Sequence, residues 1–373
     1  MTVPMINLKP ALRETEQACR AHLDTMHRRM QYVLGEQVAS FEHEFAEAHR
    51  ARHAVGVGSG TAALQLSLMD AGITDRAQEV ILPASTSPFS AQAVLGAGAT
   101  PVFADVEPDT LLIDAADVAA RLTSRTAAII CVHLYGQLCD LPEIAALANR
   151  KGIPLIQDAC QAHGASWYGR PLCEFSDYVA YSFYPTKNLG ALGDGGAVVT
   201  NQEGINERLR RLRDGGRLSG GQVSMTAALN SRLDEMQACY LRGFLPALPG
   251  WNEQRARVAR HYDTCLQGAA VEVLKRRNPT VHHLYVIRTK ARDELRQHLH
   301  RAGIGSGVHY PLPLHLHPAF AIPTQPRGSL RRSEAASNEI VSIPLWPHMS
   351  DAEVGYVADQ IRQFGRDPEL PTA

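Results

Sequence analysis

The stretch SFYPTKNLG, residues 182–190, carries Lys187, and only five of the chain's 37 basic residues are lysines (Lys9, Lys151, Lys187, Lys275, Lys290). A chain that otherwise chooses arginine has one chemical reason to keep a lysine: a Schiff base needs a primary amine, which a guanidinium cannot supply. Taken alone, a lysine after a strand is an ordinary solvated residue. Here it follows the apolar run YVAYSFY and precedes NLGALGDGGAVV, whose glycines let backbone approach a ligand closely. A second group is Asp158, at the end of the apolar run in PLIQDACQAHGA. In open α/β sheets, ligands sit beyond the carboxyl ends of strands. A carboxylate there faces a cationic ligand group, a metal or a helix start. His163 lies five residues on, but no three ligands at metal spacing accompany it, so no metal is expected. The third group is Ser59, Gly60 and Thr61 in GVGSGTAAL, between an apolar run and a helical pattern. A helix start offers free N–H groups and a positive dipole end, which suit a phosphate; the same residues also read as a plain N-cap. The spacing is not a Walker loop, Thr61 breaks G-x-G-x-x-G, and Val57 breaks G-x-S-x-G.

Together, an anion site at a helix start, a carboxylate at a strand end and a lysine after another strand are the parts that hold pyridoxal 5′-phosphate. The phosphate goes to the helix start, the carboxylate pairs with the pyridine nitrogen, and the amine bonds to the aldehyde.

Elements must carry these groups to one place. From about residue 53 to 200, apolar runs (HAVGVG, EVILPAS, TPVFADV, TAAIICVHLYG, IPLIQDA, DYVAYSFYP) alternate with helical stretches such as SGTAALQLSLMDAG and LPEIAALANRKG. Runs buried on both faces with helices between them predict an α/β layer with a mainly parallel sheet. Beyond about residue 240 the texture changes. WNEQRARVARHYDTCLQ reads as a helix, HHLYVIRT as a strand, RDELRQHLHRAG as an amphipathic helix and SGVHYP as a strand. SDAEVGYVADQIRQFG closes the pattern as a helix with Ser350 as N-cap. The expected organisation is a helical segment over 1–50, a large α/β domain over 51–245 and a smaller α+β domain over 246–373. The first segment packs with the small domain or embraces a partner subunit.

Bulk properties narrow the function classes. Of 373 residues, 45% are apolar and 20% charged, and the net charge is −1, so nothing points to nucleic acid or anionic lipid. The chain has neither an apolar run long enough for a membrane helix nor an N-terminal apolar core of signal-peptide type. Seven scattered cysteines without a C-x-x-C pair fit reduced thiols, and a cytoplasmic location is expected. In HYPLPLHLHPAF, His309, His315 and His317 are interleaved with prolines in a rigid extended segment. No acidic residue joins them, so a structural or substrate-shaping loop is expected.

The motifs SGTAAL, GATPVFADVEPDT, VHLYGQ, QDACQAHGA, SFYPTKNLGALGDGGAVVT, NSRLDEMQA, WNEQR, HLYVIR and HYPLPLHLHPAF run in order through most of the chain. In this they resemble the DegT/DnrJ/EryC1/StrS sugar aminotransferases, pyridoxal-phosphate enzymes of fold type I. The resemblance implies a seven-stranded, mainly parallel sheet, with Lys187 as the Schiff-base lysine and Asp158 as the partner of the pyridine nitrogen. It places Gln161 near the cofactor ring, and Gly60, Thr61 and Ser182 on the phosphate. Asn230 would reach the phosphate from the other subunit, so a homodimer with shared active sites is implied. Tyr184, His309 and Tyr310 are the candidate substrate contacts. The SFYPxKNLGALGDGGA and HYPxPxHL motifs are most similar to those of enzymes aminating C3 of nucleotide-linked 3-keto-6-deoxyhexoses, with an amino acid such as L-glutamate as donor.

Departures from the family pattern are visible. Ser87 in PASTSP stands where the family has an aromatic that stacks on the cofactor, with Phe89 two residues on. Restoring an aromatic at 87 is therefore expected to tighten retention of the aminated cofactor unless Phe89 takes over. The loop DGGRLSGGQVSMTAAL lacks the usual Lys, Tyr and His, and Ala62 and Ala228 replace a common Asp and Gly. Related dehydratases carry His at the lysine position, so Lys187 favours amino transfer. A keto cyclitol as acceptor, or a non-catalytic regulatory role, are the alternative readings.

Overall fold

The computed structural model describes residues 1–218, 221–322 and 324–365. Seven strands form its main sheet: β1 (His53–Val57), β2 (Glu79–Pro83), β3 (Thr100–Ala104), β4 (Thr126–Val132), β5 (Leu155–Asp158), β6 (Tyr178–Ser182) and β7 (Gly196–Thr200). Their order is β1-β7-β6-β5-β4-β2-β3. Strands β2 to β6 run parallel, while β7 is antiparallel to both its neighbours. β2 and β7 are buried along their whole length, as expected for strands covered on both faces by helices. Register places Val132, Asp158 and Ala180 side by side, so the chain leaves β4, β5 and β6 at one edge of the sheet.

A second, antiparallel sheet contains β8 (Glu272–Val273), β9 (Tyr285–Arg288) and β10 (Ile340–Ile343) in the order β10-β9-β8. Its core joins Val258, Tyr262, Leu295, Leu299, Trp346 and Ile361 from the surrounding helices and loops. The closing helix Asp351–Phe364 has Ser350 as its N-cap, as the sequence predicts, and Glu353 completes a capping box. The stretch SGVHYP does not form a strand. Gly307 exchanges two backbone hydrogen bonds with Ser342 (3.0 and 2.8 Å), and the ladder stops there. Pro311 and Pro313, which lack the N–H that a ladder needs, follow at once.

The first fifty residues belong to both cores. Val3 is fully buried in the second core and pairs with Gly303 and Gly305. The helix Lys9–Arg29 instead lies on the helix Glu235–Phe244, where a Cβ at Gly243 would come within 2.5 Å of the Cys19 Sγ. The helix Glu36–Ala48 has no capping side chain of its own. Buried Glu235 takes that part, accepting from the N–H groups of Gly35 (2.8 Å), Gln37 (2.9 Å) and Val38 (2.9 Å). The same helix supplies Glu42, which accepts from Gly56 N (2.8 Å) of β1, from Arg210 Nη1 (2.7 Å) and from buried Arg213.

Candidate active site

The edge where β5 and β6 end gathers most of the residues singled out in the sequence. Asp158, the last residue of β5, is 5% exposed. Its Oδ2 accepts from the Ser90 hydroxyl at 2.8 Å and its Oδ1 from the Cys160 N–H at 3.2 Å. No basic side chain pairs with it among the described residues. A buried carboxylate without a cation is costly unless a ligand brings the positive charge.

The helix Gly60–Asp70 begins beside the end of β6. Ser59 caps it, accepting from Ala62 N at 3.1 Å. The N–H groups of Gly60 and Thr61 find no acceptor among the described residues, which leaves two donors aimed past the helix start. A Cβ at Gly60 would lie 2.6 Å from the Ser182 Cβ and 2.8 Å from the Cys160 Sγ, so glycine is what lets this helix start close on Ser182. Gly196 plays the same part from β7, where a Cβ would meet the Ser59 carbonyl oxygen at 2.4 Å.

Lys187 sits in a tight loop after β6. Its own N–H donates to the Tyr184 carbonyl (2.9 Å), and Ala191 N returns to the Phe183 carbonyl (2.7 Å). A Cβ at Gly190 would strike the Pro185 oxygen at 2.5 Å. The lysine keeps some solvent contact, yet burial pushes its pKa below the ordinary lysine value, with Cys160 and Asp158 opposing that shift. Burial and then the Lys187 charge also hold three nearby histidines neutral: His163 and His283 well below the usual histidine value, and His309 at about 4.

Gln161 faces the same space. Its Oε1 accepts from Tyr135 N at 2.6 Å and its Nε2 donates to the Tyr310 hydroxyl at 3.4 Å. Asn188 anchors the lysine loop through Asn252 Oδ1 (2.9 Å), the Val281 carbonyl (3.0 Å) and His283 Nδ1 (3.0 Å). The structure thus brings Gly60, Thr61, Asp158, Gln161, Ser182, Lys187, His309 and Tyr310 to one edge. Tyr184 is nearby in the chain but exposed. Asn230 is also exposed in the single chain and pairs through its backbone with Asp214; its neighbour Ser231 accepts from Gly58 N at 3.1 Å. In the loop before it, residues 219 and 220 lie outside the described residues.

Several features differ from expectation. Phe89 is 62% exposed and covers nothing in the site. Ser87 instead caps the helix Pro88–Ala97. An acidic residue does join the histidine-rich loop: His315 Nε2 contacts Glu334 Oε1 at 3.0 Å. His309 turns to the Ser342 hydroxyl (2.9 Å) and His317 to the Leu312 carbonyl (3.1 Å), so the three histidines have separate partners. The cysteines are not all scattered, since buried Cys131, His133 and Cys139 have ligand atoms within 4.8 Å of one another. Both ring nitrogens of that histidine are engaged, Nδ1 by Cys139 N (3.2 Å) and Nε2 by Gln157 Oε1 (3.0 Å). Ser90 and Tyr135 escaped the sequence reading because their contacts come from 68 and 26 residues away, at no recognisable spacing.

With this geometry in hand, the comparisons decide the family. The DegT/DnrJ/EryC1/StrS aminotransferase family matches residues 13–362. The chain belongs to that family. It is 42% identical over 366 residues to a dTDP-3-amino-3,4,6-trideoxy-alpha-D-glucose transaminase of Streptomyces venezuelae, covering 97% of this chain and 96% of the relative. It is 39% identical over 371 residues to a pleiotropic regulatory protein of Geobacillus stearothermophilus, covering 98% and 99%. A crystal structure of S. venezuelae DesV in complex with a ketimine intermediate superposes with a TM-score of 0.95 at 41% identity, covering 98% of this chain and 99% of that one. The fold of this DegT/DnrJ/EryC1/StrS member is therefore that of the pyridoxal-phosphate aminotransferases, with the mostly parallel seven-stranded sheet that the sequence predicts.

Proposed function

We propose that this aminotransferase uses pyridoxal 5′-phosphate to move an amino group from an amino acid, L-glutamate by preference, to a nucleotide-activated 3-keto-6-deoxyhexose. The observation that carries the reading is buried Asp158, hydrogen-bonded on both oxygens yet without an ion-pair partner among the described residues, near a lysine of lowered pKa. When bound, the cofactor supplies an aldehyde for amine exchange and a ring that takes up the electron pair of the donor's α-carbon.

The chain's own residues do the rest. The free N–H groups of Gly60 and Thr61, with the Ser182 hydroxyl, would hold the phosphate at the positive end of the helix. Asp158 keeps a proton on the pyridine nitrogen, and Gln161 sets the ring's edge. Lys187 would be the covalent anchor of the cofactor and the base that carries a proton from the donor's α-carbon. Its reference pKa of about 10.4 is too high for that task at neutral pH, and burial lowers it. Tyr184, His309 and Tyr310 are the proposed substrate contacts. The sugar-nucleotide substrate is supported by the transaminase of S. venezuelae to which the chain is 42% identical; a keto cyclitol is the alternative acceptor. Lys187, rather than His, stands against dehydration. One relative carries a regulatory name, but the intact site favours catalysis here.

The proposal extends to assembly: a cytoplasmic homodimer in which Asn230 completes the phosphate site of the partner. No helix among the described residues is long and apolar enough to cross a membrane. It also retains the division into an N-terminal helical segment, a large domain to about residue 245 and a small one beyond.

The reading is tested by the absorption of the purified protein. A visible band that borohydride abolishes is expected in the native chain. It should be absent in Lys187→Arg, which keeps the charge but not the primary amine. The enzyme is then loaded with L-glutamate, and the return of the band is followed on adding a panel of keto sugars and keto cyclitols. An unchanged band in Lys187→Arg sinks the assignment; recovery with cyclitols alone moves the substrate class.

A further inference from the structure

Ser87 is a small residue at the mouth of the site. Its hydroxyl is turned to Phe89 N (3.4 Å) as a helix cap, and Phe89 itself projects to solvent. Neither presents a ring to the space bounded by Asp158, Gln161 and Lys187. One aromatic side chain does reach that space. Tyr310 packs on the main core, and its hydroxyl takes the hydrogen bond from Gln161 Nε2 at 3.4 Å. Burial is the largest influence on the phenol and pushes it up to about 12, with the nearby Ser87 hydroxyl opposing and Asp158 adding to the shift. The phenol is thus a neutral donor and acceptor at any working pH.

The backbone of Tyr310 is held from behind. The Tyr135 hydroxyl donates to the His309 carbonyl at 2.5 Å, His309 Nδ1 contacts the Ser342 hydroxyl at 2.9 Å, and the His309 ring meets Tyr310 edge-on at 5.7 Å between centroids. Two other segments, at Tyr135 and Ser342, therefore fix the backbone beside this ring.

We propose that Tyr310 is the ring that covers one face of the pyridoxal cofactor in this chain, standing in space that a large residue at position 87 would take. Gln161 then serves two groups: its amide nitrogen steadies Tyr310, and its placement sets the cofactor's edge. The proposal rests on the reading of this site as a pyridoxal-phosphate site. It reverses the expectation for Ser87: a ring introduced there meets Tyr310 and loosens the site instead of tightening it. Aromatic pairs of suitable geometry are worth about 2- to 13-fold in affinity.

The test is the dissociation constant of pyridoxamine phosphate, measured by calorimetry on the full-length protein stripped of cofactor. This ligand has no bond to Lys187, so non-covalent contacts alone are read. Tyr310→Phe should stay within about twofold of the native protein, and Tyr310→Ala should weaken binding about 10-fold. Ser87→Phe should weaken it as well, and the double variant Ser87→Phe/Tyr310→Ala should recover most of the loss, because one ring again fills one space. Tyr310→Ala binding as tightly as native, or Ser87→Phe binding tighter with Tyr310 present, overturns the proposal. If Tyr310→Ala does not fold, Ser87→Phe alone decides, since its sign is opposite under the two accounts. A native protein that fails to bind pyridoxamine phosphate sinks the cofactor reading itself.

Discussion

At the residue scale, a carboxylate and its supports act as one unit. Asp158 is buried, and Ser90 and the Cys160 N–H each donate to one of its oxygens. Hydrogen bonds to a charged group are worth about 1.5–3 kcal/mol. Asp158→Asn removes the charge that holds the ring proton, so the rate of the half-reaction with L-glutamate should fall about 100-fold. The variant should still bind pyridoxamine phosphate, because its phosphate contacts are intact. Ser90→Ala leaves the charge and one hydrogen bond, and should cost about 10-fold. Single-turnover absorbance changes measure both, and near-native rates in Asp158→Asn would contradict the role assigned to it. Asp158 and Lys187 were legible in the sequence because each ends or follows an apolar run and because lysine is rare here. Ser90 was not, since a hydroxyl carries no signature until the fold shows what it touches.

At the element scale, the site depends on how strand ends are clamped. Glu42, on the helix Glu36–Ala48, ties that helix to Gly56 of β1 and to Arg210 and Arg213 beyond β7. Arg213 also donates to the Gly56 carbonyl at 2.7 Å, and its side chain is almost wholly buried. Removing the carboxylate leaves a buried guanidinium unpaired, which costs about 3–5 kcal/mol. Glu42→Ala should lose about that much in urea unfolding, and the loss should spread to the helix start beside Ser59. A loss under about 1 kcal/mol would show that water replaces the carboxylate freely. Strands β1 to β6 were readable because continuous apolar runs between helices have few other uses, whereas β7 was hidden behind the glycines of NLGALGDGGAVV. SGVHYP was misread as a strand: it has the composition of one, but only a single pairing with Ser342 precedes the prolines.

At the scale of the whole molecule, Asn230 lies outside the single chain's own cluster of site residues, exposed on the segment that runs back towards Gly58. If it completes a neighbour's site, two crippled chains can share one good one. Lys187→Ala and Asn230→Asp, each inactive alone, should recover part of the activity when mixed under conditions that exchange subunits. In the mixed dimer one site carries both defects and the other carries neither. Confirmed exchange without recovery would mean that each site is built within one chain. The sequence could not show this from pattern alone, because an interface residue and a solvated one look alike until the second copy is placed. The cap that Glu235 provides has a consequence in time. Its acceptors serve N–H groups that left the ribosome 200 residues earlier. At about 5–20 residues per second, the start of that helix waits on the order of 10–40 s for its partner. β1 likewise has no ladder until Gly196–Thr200 emerges. The growing chain must therefore shelter an unpaired strand and an uncapped helix for much of its synthesis, and a ribosome that stalls before residue 196 leaves both open to chaperones and proteases.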